Sequence, residues 1–392
     1  MTDGPFHVTL CLLLFAGACL GHLATLVFSH NRWYGLALPK HVTHPIQYLH
    51  GLLTLAGWFG FWWLWGFDLT AAFRPQPEAP WRYLAAAYLV VCWLVGFVAL
   101  PAALLARRLR RKPAVLASNH TQTVDYAREL GYKPVGRGKK RHLARLPYNQ
   151  VFQVDFNEKE LRLPRLPAAL DGLTVLHLSD LHLCGTPDRE FYDRVMDRCA
   201  AWEADLVALT GDVVDSHHHY RWVTPVLSRL RWKVGAFAVL GNHDWMHEAE
   251  LARRRLRRAR FDVLGNAWKR IEVRGEPLLV IGQEAPWFRP GVDVSGCPAG
   301  LFRLCLTHTP DQIGWARRHG IDVLLAGHVH GGQVRLPGVG SVLVPSTYGR
   351  RYDCGTFDEP PTVLHVSRGL GGQEPLRYNC RPEATLLVLR RA

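Results

Sequence analysis

The sequence predicts an α/β domain preceded by three membrane-spanning helices. Two observations carry this prediction: three long apolar runs without Asp, Glu, Lys or Arg lie within the first 106 residues, and short apolar runs alternate with helical patterns in the second half. Strands that alternate with helices are typical of layered α/β folds. At 392 residues with 20% charged residues, the chain is long enough for two or three structural units, and its composition excludes a disordered or collagen-like protein.

Each apolar run is long enough to cross a bilayer as a helix, because the hydrocarbon core requires about 20 residues. The runs cover residues 6–28, 46–67 and 83–106. Four Trp crowd the end of the second run and Trp81 precedes the third, which is typical of the headgroup interface. Three buried helices of a soluble domain are the alternative, and we favour spanning helices. A cleavable signal is disfavoured because no Lys or Arg precedes the first run.

Positive charge follows the third run at once, with five Lys or Arg in residues 107–112 and only two in each preceding loop. The positive-inside rule then predicts a multi-pass membrane protein with an outside N-terminus and a C-terminal domain facing the cytoplasm. Residues 107–145 hold 12 Lys or Arg against two acidic residues, within a net charge of +14. We expect membrane lipids as partners of this stretch and disfavour nucleic acid, since no nucleic-acid-binding motif accompanies it. Nine Cys without CxxC spacing favour a reducing compartment.

The predicted organisation is a transmembrane region over residues 1–106, a basic linker over 107–146 and a catalytic domain over 147–392. Within that domain, five predicted strands are each followed directly by a polar cluster. The strands cover residues 173–178, 206–209, 236–240, 301–306 and 323–326. Because ligands bind beyond the carboxyl ends of strands in such folds, we expect the clusters to converge on one site.

The clusters contain Asp, Asn and His, whose oxygen and imidazole donors suit Mn, Fe or Zn. Two such ions about 3.5 to 4 Å apart would clamp the attacking and leaving oxygens of a phosphoryl displacement. One cluster alone is more often a turn or a helix cap than a ligand group. The presence of all five clusters in this order favours metal-ligand groups over turns or helix caps.

The five clusters resemble the signature of the calcineurin-like metallophosphoesterases, which is DxH, GDxxD, GNHD or GNHE, a separate His, and GHxH. They stand here as Asp180-Leu181-His182, Gly211-Asp212-Val213-Val214-Asp215, Gly241-Asn242-His243-Asp244, His308 and Gly327-His328-Val329-His330. The resemblance implies a four-layer sandwich of two mixed sheets flanked by helices. It also implies two divalent metal ions, with Mn as the first choice and Fe or Zn as alternatives.

The resemblance implies a role for each residue of these clusters. One ion would be held by Asp180, His182 and His330, the other by Asn242, His308 and His328, and Asp212 would bridge them. His243 would be the catalytic acid that protonates the leaving group, which spares the reaction an alkoxide. Asp215 and Asp244 would orient neighbouring groups.

Departures from other branches narrow the implied substrate. Ser216 follows Asp215 and the third cluster ends in Asp244, which is unlike the Ser/Thr protein phosphatases. The continuation Gly331-Gly332-Gln333 is similar to the membrane-anchored phosphodiesterase branch. That branch implies hydrolysis of phosphodiester or pyrophosphate bonds in an amphipathic, lipid-linked or cell-envelope substrate such as UDP-2,3-diacylglucosamine. A membrane-tethered nuclease, a generic phosphodiesterase and a non-catalytic scaffold remain alternatives.

Other histidines are predicted not to bind metal. The run His217–His219 follows a complete ligand cluster and is expected to lie in a loop. His177 and His365 are flanked by apolar strand residues, so we expect both in the core.

Overall fold

Long apolar helices form one part of the chain, and alternating strands and helices form the other. The computed structural model describes residues 4–75 and 79–392, and the chain divides into the units Met1–Arg111 and Lys112–Ala392. The N-terminal unit contains α1 (Pro5–Gly35), α2 (Lys40–Trp65), α3 (Trp81–Trp93) and α4 (Leu100–Arg108), with a π-helical turn at Leu94–Ala99 joining the last two.

Among the described residues, two helices are long and apolar enough to cross a membrane, where the sequence led us to expect three. They are Pro5–Gly35 and the continuous helix Trp81–Arg108. Helix α2 is long enough at 26 residues, but it is less apolar because its first half carries polar side chains, including His44, Gln47 and His50.

Small residues let the N-terminal helices approach closely. A Cβ atom added to Gly21 of α1 would lie 1.7 Å from the carbonyl oxygen of Cys92 in α3. His22 also joins the helices, since its Nδ1 lies 2.7 Å from the Tyr88 hydroxyl and its Nε2 lies 2.9 Å from the Leu53 carbonyl oxygen.

The C-terminal unit contains fifteen strands and seven helices among its described residues. The strands are β1 (Leu116–Asp125), β2 (Gln153–Leu163), β3 (Leu173–Leu178), β4 (Leu206–Thr210), β5 (Gly235–Val239), β6 (Asp262–Val263), β7 (Trp268–Val273), β8 (Glu276–Gln283), β9 (Phe302–Thr307), β10 (Val323–Ala326), β11 (Arg335–Leu336), β12 (Gly340–Ser341), β13 (Gly355–Glu359), β14 (Thr362–Val366) and β15 (Glu383–Arg391). The helices are α5 (Tyr126–Glu129), α6 (Arg141–Ala144), α7 (Arg189–Ala200), α8 (Tyr220–Leu227), α9 (Asn242–Met246), α10 (Ala249–Arg258) and α11 (Ile313–Arg318).

Two mixed sheets hold most of these strands. The first has the order β1-β2-β15-β3-β4-β5-β6, with β3 to β6 parallel and β15 antiparallel to β3, where Thr385 pairs with His177. The second has the order β13-β14-β10-β9-β8-β7, with β14, β10, β9 and β8 parallel. The predicted α/β fold with mixed sheets is confirmed.

Alternating side chains let each sheet pack on both faces. Val175 and Phe237 of the first sheet pack with Leu304 of the second in a buried layer between the sheets. On the opposite face of the first sheet, Leu176 packs with α7, α8 and α10. Ile313 of α11 packs on the outer face of the second sheet. The layer order is therefore helix, sheet, sheet, helix.

Residues 107–146, which we predicted to form a linker, contain strand β1. This strand pairs antiparallel with β2 at the edge of the first sheet, from Leu116 opposite Leu161 to Asp125 opposite Gln153. Most of its middle residues are exposed, so the strand lacks the apolar alternation that would have marked it in the sequence.

Candidate metal centre and active site

The carboxyl ends of five parallel strands bring the predicted site residues together. Strands β3, β4 and β5 of the first sheet are followed by the clusters of Asp180, Asp212 and Asn242. Strands β9 and β10 of the second sheet are followed by His308 and by His328 and His330. The two sheets therefore supply opposite sides of one polar site, as expected from strands that end at a common edge.

The first ligand group consists of Asp180, His182 and His330, whose candidate ligand atoms all lie within 4.8 Å of one another. The Nε2 atoms of His182 and His330 are 3.1 Å apart. Nε2 of His330 lies 3.5 Å from Oδ1 of Asp180. Two imidazole nitrogens and a carboxylate oxygen thus point at a common position.

The second group consists of Asp212, His308 and His328, again with ligand atoms within 4.8 Å. Nε2 of His308 lies 3.0 Å from Oδ1 of Asn242 and 3.2 Å from Oδ2 of Asp212. The same Asp212 oxygen is 3.6 Å from Nε2 of His182 in the first group. Asp212 therefore reaches both groups, which is the position that a bridging ligand requires.

The contacts of the histidines fit metal binding. Nδ1 of His308 donates to the carbonyl oxygen of Thr210 at 2.7 Å, so Nε2, which faces Asp212 and Asn242, is the atom that would bind an ion. Nε2 of His328 is buried and has no hydrogen-bond partner within the described part of the chain. A buried polar atom without a partner is costly, and a bound cation would satisfy it. The residues present therefore fit divalent metal ions.

The two buried carboxylates also require positive charge. Burial raises the pKa of Asp180, and the charge of Asp212 adds to that rise against the opposing effect of His308. Burial acts in the same direction on Asp212, but His308 and His243 hold the pKa of Asp212 well below its usual range. Cations between them would allow both groups to stay ionised, because opposite charge favours the charged form.

His243 lies beside the ligand groups in α9, which is separated from the end of β5 by two residues. Its backbone N–H donates to Oδ1 of Asp212 at 2.8 Å. Its ring nitrogen Nδ1 is 2.7 Å from Oδ1 of Asp215. The His243 side chain is 14% exposed, whereas the His308 side chain is fully buried. His243 is therefore held at the edge of the site with partial access to solvent.

Asp215 and Asp244 fix the loops around the site. Both oxygens of Asp215 lie about 3 Å from Nδ1 of His182, at 3.0 and 2.9 Å. Although burial raises the pKa of Asp215, His182 and His243 outweigh it and hold this pKa far below its usual range. Asp244 accepts N–H bonds from Gly241 at 3.0 Å and Val213 at 3.1 Å, and burial raises the pKa of Asp244 to about 7.

The backbone is strained at the ligand residues. Five of them adopt positive φ angles between 45° and 70°, namely Asp180, His182, Asp212, His328 and His330. Such conformations cost about 1–3 kcal/mol each and cluster at functional sites. Gly241 is required beside them, since an added Cβ would lie 2.2 Å from Oδ1 of Asp212.

Two residues near the site were not found from the sequence. The Trp287 ring lies edge-on against His328 and His308, with centroids 5.0 and 5.5 Å apart. Trp287 follows β8, which ends at the same edge as its parallel neighbour β9, so recognition of β8 would have indicated it. Arg377 is buried, and its Nη2 lies 3.2 Å from Nδ1 of His330. We find no sequence signal for Arg377.

The histidines predicted to lie outside the site are outside it. His217–His219 form a short 3₁₀ turn, with His217 and His218 exposed. His177 and His365 are buried between the sheets, with their Nδ1 atoms 2.8 Å apart. Among the described residues, no candidate metal group includes any of these five histidines.

This arrangement of Asp, Asn and His side chains at the ends of two mixed sheets is typical of a metal-dependent phosphoesterase. A family model described as calcineurin-like phosphoesterase matches residues 173–332. The chain is 31% identical over 220 residues to the phosphodiesterase YaeI of Escherichia coli, covering 55% of this chain and 81% of that one. The chain belongs to the calcineurin-like metallophosphoesterase family, whose members are hydrolases that use divalent metal ions.

Two further relatives extend the comparison. The chain is 27% identical over 252 residues to the uncharacterized metallophosphoesterase YkuE of Bacillus subtilis, which covers 62% of this chain and 88% of YkuE. It is 24% identical over 286 residues to the UDP-2,3-diacylglucosamine pyrophosphatase LpxG of Chlamydia muridarum, covering 58% of this chain and 86% of LpxG.

Proposed function

We propose that this protein is a membrane-anchored hydrolase of phosphodiester or pyrophosphate bonds in a lipid-linked or cell-envelope substrate, such as UDP-2,3-diacylglucosamine. The observation that carries the proposal is a complete site. Its seven members are Asp180, His182, Asp212, Asn242, His308, His328 and His330, and His243 lies beside them. A non-catalytic scaffold is expected to lose ligands, and this chain keeps all seven.

Each residue has a distinct proposed task. Asp180, His182 and His330 would hold one divalent ion, Asn242, His308 and His328 would hold the other, and Asp212 would bridge them. Bound ions, with Mn preferred over Fe or Zn, supply charge stabilisation to the transferring phosphoryl group. Because Nδ1 of His243 faces the Asp215 carboxylate, its Nε2 is the atom that carries a proton to the leaving oxygen. Asp215 orients that ring and does not itself exchange the proton.

We propose that the N-terminal unit spans the membrane three times. The basic linker, residues 107–146, and the catalytic domain would then lie in the cytoplasm. Large apolar side chains cover the outer surfaces of its helices; Leu13, Leu55 and Leu84 are 58%, 63% and 77% exposed. Such surfaces are stable in lipid and unfavourable in water. Helix α2 completes the set despite its polar first half, because its second half is apolar and rich in Trp.

The substrate proposal combines this anchor with the relatives. LpxG is a pyrophosphatase of UDP-2,3-diacylglucosamine, and YaeI is a phosphodiesterase. An enzyme whose apolar helices hold it in a bilayer meets a diacylated substrate in the same plane. Membrane lipids are therefore the proposed surroundings of the reaction, and an amphipathic phosphoester is the proposed substrate.

The test is release of UMP from UDP-2,3-diacylglucosamine by the full chain in detergent with Mn²⁺. The Asp212→Ala variant, which lacks the shared ligand, is the control and is expected to release none. Bis(p-nitrophenyl) phosphate and a single-stranded oligonucleotide are tested in parallel. Cleavage of the generic diester alone would reject the substrate and keep the reaction, oligonucleotide cleavage would favour a nuclease, and inactivity on all three would favour a scaffold.

Orientation is tested separately with a reporter fused after Ala392. We expect activity from a reporter that functions in the cytoplasm. A signal from a reporter that functions only outside the cytoplasm would invert the topology and favour envelope substrates.

A further inference from the structure

One surface segment of the C-terminal unit combines unpaired positive charge with exposed aromatic rings. Residues 132–148, called here the basic-aromatic segment, contain six Lys or Arg and no Asp or Glu. Five of its six basic residues are exposed, and none of the five forms an ion pair with a carboxylate in the described residues; they are Lys133, Arg137, Lys139, Arg141 and Arg145. Lys140, in contrast, pairs with Glu374.

Apolar side chains project from the same segment. Tyr148 is 91% exposed, Tyr132 is 48% exposed and Leu146 is 41% exposed. Aromatic rings exposed to this degree beside Lys and Arg are typical of surfaces that lie at a membrane–water interface, where the ring meets the headgroup region and the cations meet anionic lipid. In a basic loop that contacts only water, the exposed ring of Tyr148 would be unfavourably hydrated.

The basic-aromatic segment is fixed to the rim of the active site. The N–H of Arg137 donates to the carbonyl oxygen of Gly185 at 2.9 Å, three residues after the ligand His182. The hydroxyl of Tyr378 donates to the carbonyl oxygen of Pro147 at 2.7 Å. Tyr378 is adjacent to Arg377, which contacts His330. A surface that binds the segment therefore lies next to the first ligand group.

A cavity of about 470 Å³ opens beside the segment, and Lys133, Ala144 and Tyr148 of the segment form part of its lining. Lys133 and Tyr148 line it together with Arg381 and Gln150, whose side-chain oxygen is buried without a partner in the described residues. Asp125 also lines the cavity, but its carboxylate already accepts the N–H groups of Ala127 and Arg128 at 3.0 and 3.3 Å. The cavity is therefore lined by two cations, Lys133 and Arg381, and by one carboxylate, and Arg381 also contacts Gln153 at 3.1 Å and Asp155 at 3.8 Å. The remaining positive charge suits a phosphate.

We propose that the basic-aromatic segment binds the surface of an anionic lipid bilayer, with a phospholipid headgroup in the adjoining cavity. This contact would be separate from the apolar helices and would hold the rim of the active site at the lipid surface. The benefit of this lipid contact to catalysis rests on the proposed function. The lipid binding itself does not depend on whether the protein hydrolyses a substrate.

The test uses the full chain in nanodiscs made of zwitterionic phosphatidylcholine or of a mixture with phosphatidylglycerol. Amide hydrogen exchange followed by mass spectrometry reports protection of peptides that cover residues 132–148. We expect protection in the anionic discs only. The double variant Arg141→Glu/Arg145→Glu should lose it, since two basic residues contribute roughly 30-fold to binding at an anionic surface. The matched control Arg254→Glu/Arg257→Glu, on the exposed face of α10, should retain it.

The outcomes separate this inference from the proposed reaction. Equal exchange in both discs, or equal protection in the two double variants, would overturn the lipid surface. Protection by a single-stranded oligonucleotide in zwitterionic discs, without protection by anionic lipid, would replace lipid with nucleic acid. Hydrolysis of bis(p-nitrophenyl) phosphate by both variants checks that each is folded, and its absence in the wild type would reject the hydrolase while leaving the protection result valid.

Discussion

Oδ1 of Asp215 lies 2.7 Å from Nδ1 of His243. The same carboxylate contacts Nδ1 of His182, which belongs to the first ligand group, at 2.9 Å. One buried anion therefore sets the ring orientation of the proposed acid and of a proposed ligand. This arrangement would link the proposed proton transfer to the proposed metal binding through one side chain that lies outside the set of seven proposed ligands.

Replacement of Asp215 by Asn is expected to lower turnover by about 10- to 100-fold, the usual effect of losing a residue that orients metal ligands. The neutral amide lacks the negative charge that faces both imidazoles, so it holds His182 and His243 less firmly than the carboxylate does. The kcat value should fall more than KM rises. Asp197→Asn is the control, because Asp197 lies on the surface of α7 and pairs with Arg229. An unchanged kcat for Asp215→Asn would contradict the orienting role.

Substitution of His243 by Ala should separate catalysis from metal binding. Loss of a general acid typically costs 10²- to 10⁴-fold, and the cost is largest for leaving groups that need a proton. We expect a large loss on alkyl phosphodiesters, a smaller loss on bis(p-nitrophenyl) phosphate and metal content equal to that of the wild type by elemental analysis. A parallel collapse of metal content would show that His243 acts as a ligand instead.

The strands that end at the site could be predicted from the sequence, because each of them is an apolar run that is followed directly by a polar cluster. Strands β3 and β10 match their predicted bounds. Strand β1 was missed because an edge strand with exposed residues on both faces has no apolar period. The contact of Trp287 with His328 depends on tertiary packing and on a strand without a polar cluster after it. The spacing of residues along the chain does not encode such a contact.

The Trp287 ring forms a hydrophobic wall on one side of the site, and a variant can test whether this wall orders the proposed metal ligands. Trp287→Ala would remove the ring that packs against His308 and His328. Both imidazoles would gain freedom and water access, so we expect the Mn²⁺ concentration for half-maximal activity to rise by roughly tenfold. Trp287→Phe should restore most of the affinity because it keeps an aromatic ring at the position. Equal Mn²⁺ requirements for Ala and Phe would show that the wall does not order the ligands.

The buried histidine pair between the sheets predicts how acid destabilises the fold. Burial lowers the pKa of His177 to about 3, with Glu383 opposing the shift and Lys159 adding to it. His177 is therefore neutral in the folded protein and is bonded through Nε2 to the hydroxyl of Thr210 at 2.9 Å. In the unfolded chain the same group takes up a proton near its ordinary pKa of about 6.5.

Because the unfolded state binds the extra proton, the free energy of unfolding is unaffected by His177 above about pH 6.5 and falls below it, by about 1.4 kcal/mol per pH unit toward pH 3. Urea unfolding of the metal-free protein, followed by Trp fluorescence between pH 7 and pH 4, measures this slope. His177→Gln lacks the titrating group and should show a shallower slope, whatever its absolute stability. His142→Gln, at an exposed position, should keep the wild-type slope. Identical slopes for the wild type and His177→Gln would mean that this histidine is already protonated in the folded core.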